Sequence, residues 1–564
     1  MFNRIFNSRS KTVTFAAFIL AVSALISRIL GLARDRLLAS RFGAGEELDI
    51  YFAAFRIPDF VYGILIVGGI TAAFLPVFSE YFKEKENSVS SNLEKKETEQ
   101  NEWNEQGLEF INNVLNCFFI LLIVVCSILA IFTPFIVKFI IPGFSEQNSA
   151  LTIQLTRIMF LSPVLFGLSS IFSGVLHYFN KFFAYALAPI LYNLGIIFGI
   201  LFLVPVFGIF GLIYGVVLGA LFHLLVQIPA VLNTGFRYRP IFNFKSLGII
   251  KIFKLMLPRT IGTAAYQINL IVITAIASTL TAGSIAIFNF SNNLYYFPIG
   301  LIGVSFAVSA FPVFSKFLIN GQRKEFLENF SASIRQILFF IVPISFLIFL
   351  LRAQIVRLIL GAGEFGWLET RLTAASLGVF CFGIIAGSLT PLLNRVFFAL
   401  HNTKIPVIIG IISMVINVFF CFLFTYLLSF SNIFQTFFQN ALKLQDIQNI
   451  EVIGLVLALS LAVFLQTVLL LIFLYKRIGD FKIKEILFSL SKILFASILM
   501  VIAVYYVREI VDKFVDMQTF IGVLWQATLS SLIGASIYLA VSLFLKSPEI
   551  KIIKSSFFKQ FNKK

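Results

Sequence analysis

Apolar residues gather along this chain in long blocks separated by short polar breaks. A helix crosses the hydrocarbon core of a bilayer with about 20 such residues. Blocks of that length lie near 13–33, 49–78, 108–141, 151–178, 184–204, 208–232, 250–280 and 284–314. Six more follow near 328–351, 372–400, 405–429, 452–475, 484–507 and 519–545. The pattern predicts an all-α polytopic membrane protein of about 14 transmembrane helices, and an even number places both termini on one side. Prolines and glycines recur inside the blocks, among them Pro58, Gly68, Gly69, Pro163, Pro189, Pro298 and Pro391. In membrane helices small residues permit close packing, and prolines make bends whose freed backbone groups neighbours can satisfy.

Two stretches between blocks carry their own signal. Residues 83–106, KEKENSVSSNLEKKETEQNEWNEQ, are polar, charged with both signs and without apolar periodicity, so a flexible cytoplasmic loop is expected, with a partner-docking segment as the alternative. In 430–450 the aromatic and aliphatic residues recur at helical spacing, which predicts an amphipathic helix on the outer membrane face. At the start of the chain, Arg4, Arg9 and Lys11 precede an apolar run with Ala21-Val-Ser-Ala24, which imitates a secretory signal. The run continues to Leu32, so an uncleaved first helix is expected.

An internal repeat organises the blocks. Ala73-Phe-Leu-Pro-Val-Phe-Ser-Glu-Tyr-Phe82 returns as Ala310-Phe-Pro-Val-Phe-Ser-Lys-Phe317, with Pro76 and Pro312 separated by 236 residues. Each copy closes the second span of a six-span half and exits on the same side, so the halves are parallel repeats, a standard transporter plan. The expected organisation is a first six-helix lobe over 1–236, a second over 237–478, and two C-terminal helices with a basic tail over 479–564.

Composition sharpens the class. Of 564 residues, 59% are hydrophobic and 13% charged, which no soluble globular chain resembles. The net charge of +17 is spread among apolar blocks rather than gathered on a basic domain, which argues against nucleic acid as a partner. With the N-terminus inside, Lys and Arg number roughly 29 in inner segments and roughly 9 in outer ones, so both termini are expected in the cytoplasm. Cys117, Cys126, Cys381 and Cys421 all fall inside apolar runs and read as small core residues, with no disulfide expected. His177, His223 and His401 are far apart, so no metal site is expected. There is no GxxxxGK[ST] run, so no cofactor or nucleotide is expected, and work must draw on a coupling ion, the membrane potential or substrate metabolism.

Candidate chemistry concentrates in residues 23–82. Arg28, Arg34 and Arg56 lie within or at the ends of two apolar blocks, where each arginine costs roughly 2.5–3.5 kcal/mol at the bilayer centre unless it meets water or an anion. A bland reading has them snorkel to headgroups or pair with Asp35, Asp49 and Asp59; the functional one turns them toward a wet cavity. Six residues separate Arg28 from Arg34, about 120° on a regular helix, so one cavity can use both only if it is wide or the helix deforms near Gly31. Asp49, Arg56 and Gly63 fall at i, i+7 and i+14 and share a face of a regular helix, and Pro58 should kink it.

These residues carry a resemblance. Ser27-Arg-Ile-Leu-Gly-Leu-Ala-Arg-Asp35, Phe42-Gly-Ala-Gly45, Asp49 and Phe52-Ala-Ala-Phe-Arg-Ile-Pro58 resemble the start of the MurJ (MviN) family of lipid II flippases, in the MOP superfamily. Phe172-Ser-Gly-Val-Leu176, Ala188-Pro-Ile-Leu-Tyr-Asn193, Met256-Leu-Pro-Arg-Thr-Ile261 and Asn402-Thr-Lys-Ile-Pro406 extend the likeness over most of the chain. It implies a bacterial cytoplasmic-membrane protein that moves an undecaprenyl-pyrophosphate-linked peptidoglycan precursor outward by alternating access. A central cavity for the headgroup and a groove at the last two helices for the lipid tail are implied with it. On that reading Arg28, Arg34, Arg56 and Arg259 contact the pyrophosphate, Asp35, Asp49 and Asp59 support them, Asn292 and Asn293 bond sugar or peptide, and Gly31 and Pro58 act as hinges. Implied partners are the polyprenyl-pyrophosphate lipid, membrane lipids and, as candidates, other cell-wall synthesis proteins. Two features depart from the family: Tyr62-Gly63 stand where consecutive arginines are common, and Asn292-Asn293 where Asp-Arg is common. The rival readings are another MOP-type exporter, for an oligosaccharide lipid or a cationic drug, and an intramembrane lipid-processing enzyme. A drug exporter would want acids inside its lobes, and the enzyme would want His, Asp or Glu clusters near a membrane face.

Overall fold

A computed structural model describes residues 13–88 and 103–550. Every regular element among them is helical. The first apolar block is carried by α1 (Val13–Phe42), which runs unbroken through Ala21–Ala24 and Gly31. Among the described residues, thirteen helical spans, from Glu46–Tyr81 to Phe520–Phe544, are long and apolar enough to cross a membrane.

The chain divides into two compact units, Met1–Thr279 and Leu280–Lys564. The first holds α1, then α2 (Glu46–Val61) and α3 (Thr71–Ser88) joined by a π-helical stretch, Tyr62–Ile70. It continues through α4 (Glu105–Ile140), α5 (Glu146–Met159), α6 (Leu161–Tyr178), α7 (Phe182–Phe198), α8 (Val204–Phe207), α9 (Ile209–Leu225) and α10 (Ile228–Leu232). Its last helix is α11 (Leu247–Ser278), so by contact this helix joins the first unit, whereas the repeat groups it by sequence with the second. The second unit begins with α12 (Ser284–Pro298) and α13 (Val304–Ile319), again joined by a π-helical stretch, Ile299–Gly303. Then come α14 (Arg323–Ile359), α15 (Trp367–Ala399), α16 (Lys404–Leu428), α17 (Ile433–Leu442), α18 (Val452–Ile478), α19 (Ile483–Asp512) and α20 (Phe520–Phe544).

The repeat is therefore written in backbone geometry as well as in sequence. Shifted by 236 residues, the second π-helical stretch falls inside the first, and each interrupts the second span of its half. Such π-bulges are rare and cluster at functional sites.

Helix starts follow the capping residues: Asn104, Ser145, Ser246, Asn432 and Thr519 each accept a hydrogen bond from an early backbone N–H of the helix they precede. Asn432 opens α17, so the amphipathic helix expected in 430–450 is present. Within spans, a proline deprives the carbonyl four residues earlier of its donor, and an unsatisfied group is costly where no water reaches. Side chains fill that role at four prolines among the described residues, the first being Pro163, opposite which Met159 accepts the Ser162 hydroxyl at 2.8 Å. Ala54, opposite Pro58, accepts the Thr156 hydroxyl; Ala130, opposite Pro134, accepts Arg157 Nε at 3.0 Å; Phe339, opposite Pro343, accepts the Tyr538 hydroxyl at 2.7 Å. Glycine serves close approach: α7 and α9 meet at Gly195 and Gly219, where a Cβ on Gly195 would lie 2.3 Å from the Gly219 Cα.

The segment after α10 is held by three buried asparagines of α4. Asn112 donates to the Arg237 carbonyl and accepts the Arg239 N–H, Asn113 does the same across Asn243, and Asn116 donates to the carbonyls of Arg239 and Ile241. Of the stretch 83–106 expected as a flexible loop, residues up to Ser88 belong to α3 and Glu105 opens α4, while 89–102 lie outside the described residues. Trp103, inside that expected loop, donates its Nε1–H to Thr234 and packs on Phe78, Phe179 and Phe236. All four cysteines are buried core residues, as expected.

Candidate functional site: a buried chain of arginines and acids

α1 and α2 bring most of the singled-out charges into the interior of the first unit. Arg34 on α1 donates through Nε (3.0 Å) and Nη2 (2.8 Å) to Asp35 Oδ1, and through Nη1 (3.3 Å) to Asn193 Oδ1 of α7. Asn193 in turn donates to the Ser27 hydroxyl and carbonyl, two turns earlier on α1, and to the Pro189 carbonyl. It also lies 4.0 Å from where a Gly31 Cβ would stand. Arg34 thus carries the acid pairing that its neighbour in sequence suggests, plus a tie to α7.

Arg56 on α2 is almost fully buried. Its Nε donates to Thr274 Oγ1 of α11 at 2.6 Å, a short, charge-assisted bond across 218 residues of sequence. Asp59, one turn on, and Tyr266 of α11 lie within electrostatic reach of the same guanidinium. The buried Tyr51 hydroxyl stands in the electrostatic neighbourhood of Arg34, Asp35 and Asp59. Tyr192 borders Arg34 and Asp59 from α7. The result is two hydrogen-bonded clusters in an apolar unit, Ser27–Asn193–Arg34–Asp35 and Arg56–Thr274, with Tyr51 and Asp59 in the electrostatic neighbourhood of both arginines.

The other expected residues are distributed as follows. Arg28 is half-buried on α1, and Asp49 is buried on α2. Arg259 is carried by α11, with its side chain outside the described residues. Pro58 sits one residue short of the last turn of α2, which passes into the π-helical stretch at Tyr62. The regular-helix face expected to run from Asp49 through Arg56 to Gly63 therefore ends at Val61. In the second unit, Asn292 is buried and its Oδ1 has no hydrogen-bond partner among the described residues, while Asn293 is exposed. Sequence reasoning passed over Asn193, Thr274 and Tyr51. Asn193 stood in a quoted motif without a role; Thr274 had no signal beyond being polar in an apolar run.

The departure at Tyr62-Gly63 has a steric cause. A Cβ on Gly63 would lie 2.3 Å from Gln267 Nε2 and 2.9 Å from its Cγ, because α11 presses directly on the π-helical stretch there. Gly68 and Gly69 meet Thr263 and Met256 in the same way. Tyr62 packs at a tilt of 57° against Phe166, ring centroids 5.2 Å apart. An arginine at 63 would have to displace the Gln267 side chain from this packing.

The second unit contains an apolar cavity of about 860 Å³ between α14, α15, α18 and α19. It extends from Phe349 and Phe382 at one end to Tyr475, Lys476 and Ile483 at the other. The lipid-tail groove implied by resemblance was expected at the last two helices; α19 lines this cavity and α20 does not.

Buried arginines threaded through a repeat-built, all-helical membrane protein define a polytopic transporter. Comparison narrows the class. The family model described as lipid II flippase MurJ matches residues 38–524, and the chain belongs to that family. A probable lipid II flippase MurJ of Buchnera aphidicola subsp. Acyrthosiphon pisum is 30% identical over 507 residues, covering 88% of this chain and 90% of the relative. The Haemophilus influenzae relative is 28% identical, covering 89% and 94%. Among solved structures, lipid II flippase MurJ in an inward closed conformation has a TM-score of 0.72 at 26% identity, covering 94% of this chain and 99% of that one. An inward-facing multidrug resistance MATE family transporter of the MOP superfamily shares the fold, with a TM-score of 0.62 at 14% identity over 83% of this chain and 99% of that one.

Proposed function

We infer that this chain flips lipid II, an undecaprenyl-pyrophosphate-linked peptidoglycan precursor, from the inner to the outer leaflet of a bacterial cytoplasmic membrane by alternating access. It acts as a transporter and not as an enzyme. The observation that carries the reading is the family match, which spans 38–524 and so includes both repeats. The buried arginines supply the chemistry. A pyrophosphate is a dense anion, and planar guanidinium groups bind its oxygens with charge-assisted, bidentate bonds. In this reading Arg28, Arg34, Arg56 and Arg259 receive the pyrophosphate, and Asn292 Oδ1 accepts a hydroxyl or amide donor of the sugar-peptide. Asp35 and Asp59 compensate the arginine charges when no anion is bound. The arriving pyrophosphate must compete with them, so binding is moderate and release remains possible. The same pairing speaks against a cationic-drug exporter, because the acids that would attract a cation already face Arg34 and Arg56.

Both termini lie in the cytoplasm on this reading, in accord with the inward bias of Lys and Arg. Energy comes from the membrane potential or an ion gradient. The test is replacement: the chain is expressed in a peptidoglycan-making bacterium whose own lipid II flippase is depleted. Growth with normal wall synthesis is expected. Lysis, with the protein present in the membrane at ordinary abundance, would overturn the reading.

A further inference from the structure

Under the orientation proposed above, the apolar cavity of the second unit ends outward at Phe349 of α14, and two arginines, neither of them lining it, reach the carbonyls of Phe349 and Leu350 there. Arg352 of α14 stacks over Phe349, its Cζ 4.9 Å from the ring centroid, and Phe349 lines the cavity wall. Its stem packs against Gly378 of α15, where a Cβ would lie 2.8 Å from Arg352 Cδ. Arg508 of α19 stacks over Tyr505 at 5.5 Å. The two guanidinium groups hang from neighbouring carbonyls of α14: Arg352 Nη1 donates to Phe349 O at 2.8 Å and Arg508 Nη1 to Leu350 O at 3.4 Å. Because these carbonyls belong to consecutive residues, the two like charges are held at the same level of α14. Neither forms a salt bridge among the described residues. Glu509, the nearest acid in sequence to Arg508, is engaged by the Tyr505 hydroxyl.

Two like charges held together near hydrocarbon, each with most of its five N–H donors uncommitted to protein, are an arrangement that an anion stabilises. Their position adds a second constraint. Positive charge in this chain is concentrated at the cytoplasmic ends of spans, and here it stands at the other end, against the usual bias. The positions are also fixed: Gln354 of α14 donates to Gln526 of α20, which donates to the Arg508 carbonyl, so the three helices that frame the pair are tied together. Between Ile334 and Phe349 the cavity follows α14 for fifteen residues, about 22 Å. That slot is apolar and suits an extended hydrocarbon chain.

We propose that Arg352 and Arg508 form a phosphate site at the outer-leaflet end of this cavity, binding the phosphate or pyrophosphate of a lipid whose hydrocarbon chain lies in the cavity. On the flippase reading, from which it takes its orientation, the site receives the headgroup phosphate on the side of release. It is distinct from the Arg34–Arg56 chain in the first unit.

The test uses the full-length chain in phosphatidylcholine nanodiscs, titrated with undecaprenyl pyrophosphate, dioleoyl phosphatidylglycerol or inorganic pyrophosphate and read by native mass spectrometry. Wild-type protein is expected to retain one lipid, and R352Q/R508Q to weaken that retention at least tenfold. R352K/R508K, which keeps the charge and loses the fork, falls between them; melting temperatures of the variants check that they are folded. Dependence on the pair for either lipid supports the site, and the lipid retained more tightly names its source. Unchanged retention in folded R352Q/R508Q overturns it. So does inorganic pyrophosphate binding as tightly as lipid, since the cavity would then add nothing. Loss of retention in K476Q, at the opposite end of the cavity, in place of R352Q/R508Q would put the phosphate on the wrong side. Lipid II transport by the wild-type chain is measured in parallel: failure there strikes the function, whereas wild-type transport with arginine-independent lipid binding strikes only this site.

Discussion

Arg56 offers the sharpest test of whether the buried chain is held together by charge. Arg56 and Asp59 are three residues apart on α2, which places them about 6 Å apart on one face. At an effective dielectric constant of about 20 their attraction is then about 3 kcal/mol. The Thr274 bond adds a separate contribution, about 1.5–3 kcal/mol for a hydrogen bond to a charged group. Arg56→Ala removes both and leaves the half-buried Asp59 beside no cation, so a loss of about 5 kcal/mol is expected, at the upper end of what breaking a buried ion pair costs. Asp59→Asn should lose about 3 kcal/mol, and Thr274→Val about 2 kcal/mol, each about the size of its own interaction. Because Arg56→Ala and Asp59→Asn delete one shared attraction, the double variant should be more stable than the sum of the two losses by about 3 kcal/mol. The measurement is the unfolding midpoint of detergent-purified protein, with membrane abundance in cells as a second readout. Strict additivity of Arg56→Ala and Asp59→Asn would refute the reasoning, since the two charges would then be screened from one another. Transport separates structure from substrate binding: the double variant should be no less abundant than Arg56→Ala, and it should stay inactive if Arg56 also receives pyrophosphate, whereas Asp59→Asn alone should keep activity in proportion to its abundance.

Three further outcomes follow from particular contacts. Tyr538→Phe strips the Phe339 carbonyl of its donor and should cost about 1–3 kcal/mol in melting experiments, and Pro343→Ala in that background should recover most of it by restoring the backbone N–H. Arg371 grips Asp446 and the Lys443 carbonyl and holds the Asp446 carboxyl below the usual carboxylate range. That depressed carboxyl contributes above its unfolded pKa of about 3.9 and loses its contribution only as pH falls through the lower folded value. Corrected hydrogen exchange over 433–447 should therefore be flat from pH 8 to pH 5 and raised throughout by Arg371→Met; opening that starts near pH 6 would contradict this. Arg28→Ala should abolish lipid II flipping at near-normal abundance, with Arg28→Lys only partly active in the same complementation assay; a fall in abundance reversed by a second, acidic-to-neutral change would make Arg28 structural instead.

The spans were legible because a helix that crosses a bilayer must be about 20 apolar residues long, and nothing else in the chain has that length. The repeat was legible from one ten-residue motif, and its π-helical stretches were not. Lengthening the backbone hydrogen-bond ladder by one residue needs no particular composition, so Tyr62–Ile70 looks like any apolar run. Pairing within the site divides the same way. Arg34 with Asp35 is adjacent in sequence and could be weighed beforehand; Arg56 with Thr274 requires knowing that α2 and α11 touch.

Gly63 shows how packing and charge trade places. From the sequence alone it was a missing cation, an absence that weakened the likeness to a pyrophosphate-binding family. In the structure it is one of three positions, with Gly68 and Gly69, where α11 approaches the π-helical stretch closely, and Gln267 occupies the space a side chain would need. The same contact brings α11 alongside α2 and so puts Thr274 within 2.6 Å of Arg56. Removing side chains at 63, 68 and 69 lets α11 come in; α11 then supplies the hydroxyl that holds the remaining arginine of this span in the interior. The loss of charge at one position and the burial of charge at another, seven residues earlier, are two consequences of one helix–helix approach. A family comparison confined to position 63 would count a loss of function, whereas the coordinates show the cation retained at Arg56 and fixed by a partner from another span.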